Sequence, residues 1–149
     1  MLTSTADQAI STLNICKEID IDAPLAVAVA AMLEQLGPEN SSPHGPMPMA
    51  LEPWPGGRWY RDLGNNAGHL WGHVQVIKPP TLLEITGPLF MSYPAMSHLQ
   101  YRLVEQGRGT RLTFKHRAIG EITQEHREGV NKGWDYILAA IKARAASKK

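Results

Sequence analysis

Residues 121–145 read EITQEHREGVNKGWDYILAAIKARA, and this stretch decides the fold. Its apolar members are Ile122, Val130, Trp134, Ile137, Leu138 and Ile141. From Val130 they step by four, three, one and three residues, the spacing of one helical face. Glu125, Arg127, Glu128, Lys132, Asp135, Lys142 and Arg144 take the other face. Thr123 stands where an N-cap belongs, with Glu125 in the first turn. A helix of about 24 residues is about 36 Å long, enough for a sheet to curl around. Burying Trp134 and three aliphatic neighbours is worth about 6–12 kcal/mol before entropy is charged. The upstream chain is therefore expected to cover this stripe.

Taken outward from that helix, the chain supplies strands. Gly109 ends a turn, Gln106 to Gly109, between runs 97–105 and 110–117, which read as a hairpin. Leu99, Tyr101 and Leu103 share one face of the first run; Leu112, Phe114 and His116 share one face of the second. Runs 82–86, 69–78 and 58–63 are further strands, punctuated by Gly87-Pro88, Pro79-Pro80 and the Gly64–Gly68 turn. Parity leaves the inward face of 69–78 open, because Trp71 opposes Leu70, Val74 and Val76. Nearer the N-terminus, Leu13, Ile15, Ile19 and Ile21 alternate as a half-buried strand interrupted by Lys17. Pro24 starts an alanine-rich helix over 25–36 that Gly37-Pro38 stops. Residues 1–11 read as a frayed start to a single domain spanning 1–149.

Residues 37–57 hold six prolines and also Met47, Met49, Leu51 and Trp54. The second half of this loop is expected to lie against the body, with a short helical turn; a flap over a cavity entrance is the sharper alternative. A second apolar loop, 89–96, contains Phe90 and Met91. Segregated strands between two helices, the last one long, define an α+β fold.

Composition narrows function. The 149 residues carry a net charge of +1, which removes the simplest electrostatic case for nucleic acid or an anionic membrane. No apolar run approaches membrane-spanning length, so membrane insertion is not expected. The single cysteine, Cys16, falls on a polar strand face and excludes an internal disulfide. The first residues lack a basic region followed by an apolar run, so a cytoplasmic protein is expected. The basic tail, Lys142, Arg144, Lys148 and Lys149, reads as a solvated helix end.

Several short pieces, in order, carry a resemblance: IDIDAP at 19–24, PGGR at 55–58, Gly72-x-Val74 before Pro79-Pro80, GTRLTFKH at 109–116, and Gly133-Trp134. They span nearly the whole chain, and it resembles the SRPBCC (START/Bet v 1-like) superfamily. Within it the chain is similar to the branch named after the activator of Hsp90 ATPase homologue, the AHSA1-like proteins. The resemblance implies a helix-grip fold, a curved antiparallel sheet wrapped around the C-terminal helix and enclosing an apolar cavity. Relatives bind lipids, hormones or polyketides, and a few are enzymes. Ala28-Val29 stand where the family's first helix often carries a larger contact. The Hsp90 activator has an additional N-terminal domain that this chain lacks, so Hsp90 is not an expected partner.

The chemistry-bearing residues form no clear catalytic set. His69 and His73 lie about 13 Å apart on a strand, too far to share an ion, and no metal is expected. There is no Gly-x-Ser-x-Gly, and Gly107-x-Gly109 is a hairpin turn rather than a phosphate loop. Arg61, Tyr101 and His116 are polar residues on the parity that faces a cavity. Each also has an ordinary reading: an arginine paired with a carboxylate such as Glu84, a tyrosine reaching the cavity rim, a hydrogen-bonded core histidine.

The expectation is thus a binding protein for a hydrophobic small molecule or lipid, with no cofactor. Its cavity candidates are Trp59, Arg61, Leu99, Tyr101, Leu112, Phe114, His116, Trp134 and Leu138. Trp54, Phe90 and Met91 are the entrance candidates. A core without a cavity of about 300 Å³ or more would exclude this reading. One alternative is a cyclase- or hydrolase-type enzyme using His116 as acid or base beside Arg61, Tyr101 or a carboxylate. Another is an interaction module, a homodimer or a chaperone partner, with an exposed patch from Met47, Met49, Trp71 and Phe90.

Overall fold

A computed structural model describes residues 9–148. Eleven elements follow in order: β1 (Ser11–Ile21), α1 (Leu25–Leu36), β2 (Ser41–Ser42), β3 (Gly45–Pro46), β4 (Ala50–Leu51), β5 (Arg58–Gly64), β6 (Ala67–Lys78), β7 (Leu82–Gly87), β8 (Ala95–Gln106), β9 (Gly109–Gly120) and α2 (Gln124–Lys148). Seven strands form one open antiparallel sheet in the order β1-β9-β8-β7-β6-β5-β4. β2 and β3 pair as a separate two-stranded hairpin. With the long α2 packed on it, this is the α+β helix-grip fold.

Alternation builds the inner wall. Leu99, Tyr101, Leu103, Leu112, Phe114 and His116 are all 0% exposed, and β8 pairs with β9 so that Tyr101 faces Phe114 and Leu99 faces His116. Lys17 interrupts the inward face of β1, and reaches across to Asp135 of α2 at 2.7 Å. The α2 stripe that meets the sheet is Val130, Trp134, Leu138, Ile141 and Ala145, all buried. Thr123 does cap it, accepting the His126 N–H on Oγ1 at 3.2 Å. Small side chains let α1 pack closely: Ala28 and Ala31 are wholly buried.

Several readings need correction. Most of the proposed frayed start, residues 1–8, lies outside the described residues, but Ser11 already pairs with Gly120. Its hydroxyl also donates to the Ile122 carbonyl. The 37–57 loop contains no helical turn; it folds as the β2–β3 hairpin and as β4, which adds to the sheet beside β5. The basic end of α2 is not simply solvated. Lys148 pairs with Glu34 of α1 at 2.9 Å and Arg144 donates to Gln35 at 3.1 Å. Lys149 lies outside the described residues. On β5, Trp59 is buried while Leu63 is 64% exposed. Among the described residues no helix is long and apolar enough to cross a membrane.

The open parity question on β6 has a specific answer. Trp59 pairs with Gly72, yet the next β5 residue, Tyr60, pairs with Leu70. Trp71 is therefore an extra residue, a β-bulge, and bulges re-aim side chains. It turns Trp71 inward, to 8% exposure, while Val74 further along is also buried. Gly72 accommodates the kink, because a Cβ there would lie 2.6 Å from the Thr86 carbonyl oxygen.

Candidate functional site

A pocket of about 230 Å³ opens between the first half of α2, the β2–β3 hairpin and the segment after β7. Four aromatic side chains make one wall. Trp59 and Trp71 meet edge to face at 5.0 Å between centroids, as do Trp71 and Phe90 at 5.4 Å, while Phe90 and Trp134 are tilted at 6.4 Å. Leu36, Met47, Val130 and Ile137 add aliphatic surface, and Asn40, Ser41, Ser42 and Tyr136 bring the polar atoms.

Each aromatic residue is held by an identifiable device. The Trp59 indole N–H donates to the Leu36 carbonyl at 2.7 Å, closing an orphan acceptor at the end of α1. The bulge places Trp71. Leu89 follows β7 with φ +59°, in the left-handed region, and its N–H donates to the Trp71 carbonyl at 2.7 Å. That conformation is costly for a residue with a Cβ, and Leu89 is wholly buried. It sets Phe90 over Trp71. Trp134 donates its indole N–H to His116 Nδ1 at 2.9 Å.

The helix contributes absence. Gly129 and Gly133, one turn apart, both line the pocket, and a Cβ at either would meet nothing within 4 Å. Each costs about 1 kcal/mol relative to alanine in a helix interior. A second, more open cleft of about 440 Å³ shares Phe90, Gly129 and Val130 with the first. It is bounded by Met91, Ser92 and Tyr93, whose ring stacks on His126 at 4.5 Å.

The sequence candidates divide accordingly. Trp59, Trp134 and Phe90 line the pocket, and Phe90 and Met91 line the adjoining cleft. Leu99, Tyr101, Leu112, Phe114 and His116 do not: at 0% exposure they touch no void that holds water. Leu138, 2% exposed, packs in the core and borders only a groove beside β1. Arg61 is directed to the loop, donating to the Pro48 carbonyl at 2.6 Å. It does not pair with Glu84, which instead accepts from Gln100 and lies 3.5 Å from His98. Trp54 is 54% exposed and borders neither space. The pocket alone is smaller than the expected 300 Å³, whereas the cleft that shares Phe90, Gly129 and Val130 with it exceeds that size. Asn40, Trp71, Gly129, Gly133 and Tyr136 were not readable as site residues, since a bulge and the path of a loop bring them together. The spacing of Gly129, Gly133 and Tyr136 on one helical stripe was the available signal.

His116 is a core group. Nδ1 accepts from Trp134, so Nε2 carries the proton and donates to Ser97 Oγ at 2.9 Å. Burial pulls its pKa from 6.5 down to about 4. Neutral, doubly bonded and closed to the pocket, it has no free nitrogen for acid–base work. Burial likewise pushes the Tyr101 hydroxyl far up, and that hydroxyl has no partner among the described residues. The interaction patch is not assembled either: Met49 and Trp71 are buried and Met47 is half-buried. His69 and His73 are exposed on β6, and among the described residues no group of three metal-ligating side chains converges.

A curved antiparallel sheet gripping a C-terminal helix, with an aromatic-walled pocket at the helix's first half, defines a helix-grip protein. Residues 30–146 match the family described as Activator of Hsp90 ATPase homolog 1-like protein, and the chain belongs to that family. Among curated proteins none matches. Solved structures share the fold. An uncharacterised protein from Rhizobium leguminosarum superposes with a TM-score of 0.72 at 14% identity, covering 95% of this chain and 99% of that one. CalU16 from Micromonospora echinospora gives 0.60 at 21% identity, covering 91% and 81%. StfQ, a di-domain ARO/CYC of the steffimycin biosynthetic pathway, gives 0.66 at 11% identity, covering 92% of this chain and 51% of that one. At these identities the likeness is one of fold.

Proposed function

We propose that this protein binds a small, largely apolar ring molecule in the pocket between the first half of α2 and the β2–β3 hairpin. The observation that carries the reading is the wall of Trp59, Trp71, Phe90 and Trp134 facing a helix stripe left open at Gly129 and Gly133. Three tryptophans and a phenylalanine offer flat, polarisable surface to a ring. An engineered apolar cavity of about 150 Å³ holds benzene, so about 230 Å³ suits one or two fused rings. The enzyme alternative loses its acid–base candidate, because His116 is sealed in the core.

Tryptophan fluorescence titrated with naphthalene tests the proposal. Saturable one-to-one binding is expected, weakened about tenfold or more, ~1.4 kcal/mol, in a Gly133→Leu variant that keeps its helical circular dichroism. Absence of saturable binding, or binding indifferent to Gly133→Leu, would overturn it.

A further inference from the structure

The pocket's polar atoms are nearly all spoken for. Ser41 Oγ and the Tyr136 hydroxyl share a hydrogen bond at 3.2 Å, and Tyr136 also donates to the Ser42 carbonyl. Ser42 Oγ accepts from the His44 N–H. The indole N–H groups of Trp59 and Trp134 are bonded to Leu36 and His116. The Trp71 N–H is unpartnered among the described residues, but its nitrogen is wholly covered.

Asn40 is different. It lines the pocket and is 4% exposed. Its backbone is fully used, the N–H donating to Gly37 at 3.1 Å and the carbonyl accepting from Met47 at 2.8 Å. Its carboxamide has no hydrogen-bond partner among the described residues, and it is not among the polar groups sealed away from any opening. A buried primary amide without a hydrogen-bond partner is costly unless something pairs with it. It offers a carbonyl acceptor and an NH₂ donor on one short, fixed side chain.

Resting on the binding reading above, we propose that Asn40 is the pocket's polar anchor, and that the ligand is a one- or two-ring molecule bearing a hydroxyl or carbonyl group. The ring lies along the aromatic wall. A ring hydroxyl donates to the Asn40 carbonyl oxygen, or a ring ketone accepts from its NH₂. A ligand offering neither fills the pocket but leaves the amide unpaired, which is the most effective way a site discriminates.

The test compares naphthalene with 2-naphthol, by fluorescence titration, on the full chain and on Asn40→Leu and Asn40→Ala. The preference for 2-naphthol over naphthalene is expected to fall roughly 3- to 10-fold in both variants, with naphthalene binding kept or tightened in Asn40→Leu. The Asn40 side-chain NH₂ signals in a ¹⁵N-correlated NMR spectrum should move with 2-naphthol more than with naphthalene. A preference that persists in both variants, or NH₂ signals that respond equally to the two probes, would overturn the role of Asn40 while leaving the pocket standing. Failure of naphthalene itself to bind would instead remove the binding reading, and this inference with it.

Discussion

The indole N–H of Trp134 donates to Nδ1 of His116 at 2.9 Å, and the two rings stand edge to face at 5.7 Å. This bond joins α2 to β9 across the core. Ser97 of β8 completes it from the other side at 2.9 Å. One histidine therefore ties three elements together, and does so in the neutral form. The same bond fixes Trp134, which presents the rest of its ring to the pocket.

Stability should fall in mild acid because of His116. Unfolded, its imidazole takes a proton near pH 6.5; folded, only near 4. Between those values the unfolded chain binds more protons, so stability drops as pH falls from about 6.5 to about 4 and levels below. The contribution is on the order of 3 kcal/mol. Urea unfolding at pH 7 and pH 4.5 should show the loss in the wild type and a clearly smaller loss in His116→Gln.

The tautomer is also fixed by that geometry. Because Trp134 can only donate, His116 must accept on Nδ1 and carry its proton on Nε2. Long-range ¹H–¹⁵N spectra at pH 6 should show a neutral imidazole protonated at Nε2. In Trp134→Phe the unpaired Nδ1 should cost about 1–3 kcal/mol, on top of the lost packing.

Glycines in this chain should respond oppositely to alanine. Gly133→Ala places a Cβ in open space within a helix and should raise stability by about 1 kcal/mol. It also narrows the pocket, so naphthalene binding should weaken as the melting temperature rises. Gly72→Ala puts a Cβ 2.6 Å from the Thr86 carbonyl oxygen, where backbone must shift, and should destabilise. Thermal melts of the two variants separate the cases.

Removing the cap of α2 should be a modest, local loss. Thr123→Ala strips the acceptor from the His126 N–H and should cost about 1 kcal/mol. The effect should show as faster amide exchange in the first turn of α2, beside the pocket, before it shows in the global melt.

Periodicity carried much of the fold because it reports burial directly. The span of α1, 25–36, is where the pattern put it, and Thr123 caps α2 as its position implied. Leu99, Tyr101, Leu112 and Phe114 do face inward. Facing inward, however, is not the same as lining a cavity. These side chains fill the core, and the void forms where residues depart from regular alternation. Trp71 reaches it through a bulge that strict parity cannot express. Asn40 reaches it because the proline-rich loop turns back as a hairpin against Tyr136. Arg61, on the correct parity, is drawn away by the Pro48 carbonyl. The site is written in irregularities, and a pattern reading is least able to place those.

Occupancy of the pocket beside α2 is tested most directly by a ¹H–¹⁵N correlation titration of the wild-type protein with naphthalene. Saturating shifts are expected at the amides of Gly129 and Gly133 and at the indole N–H groups of Trp59 and Trp134, with the outward pair Met96 and Ile119 unmoved. No saturating shift, or shifts centred on Met96 and Ile119 rather than on α2, would contradict it.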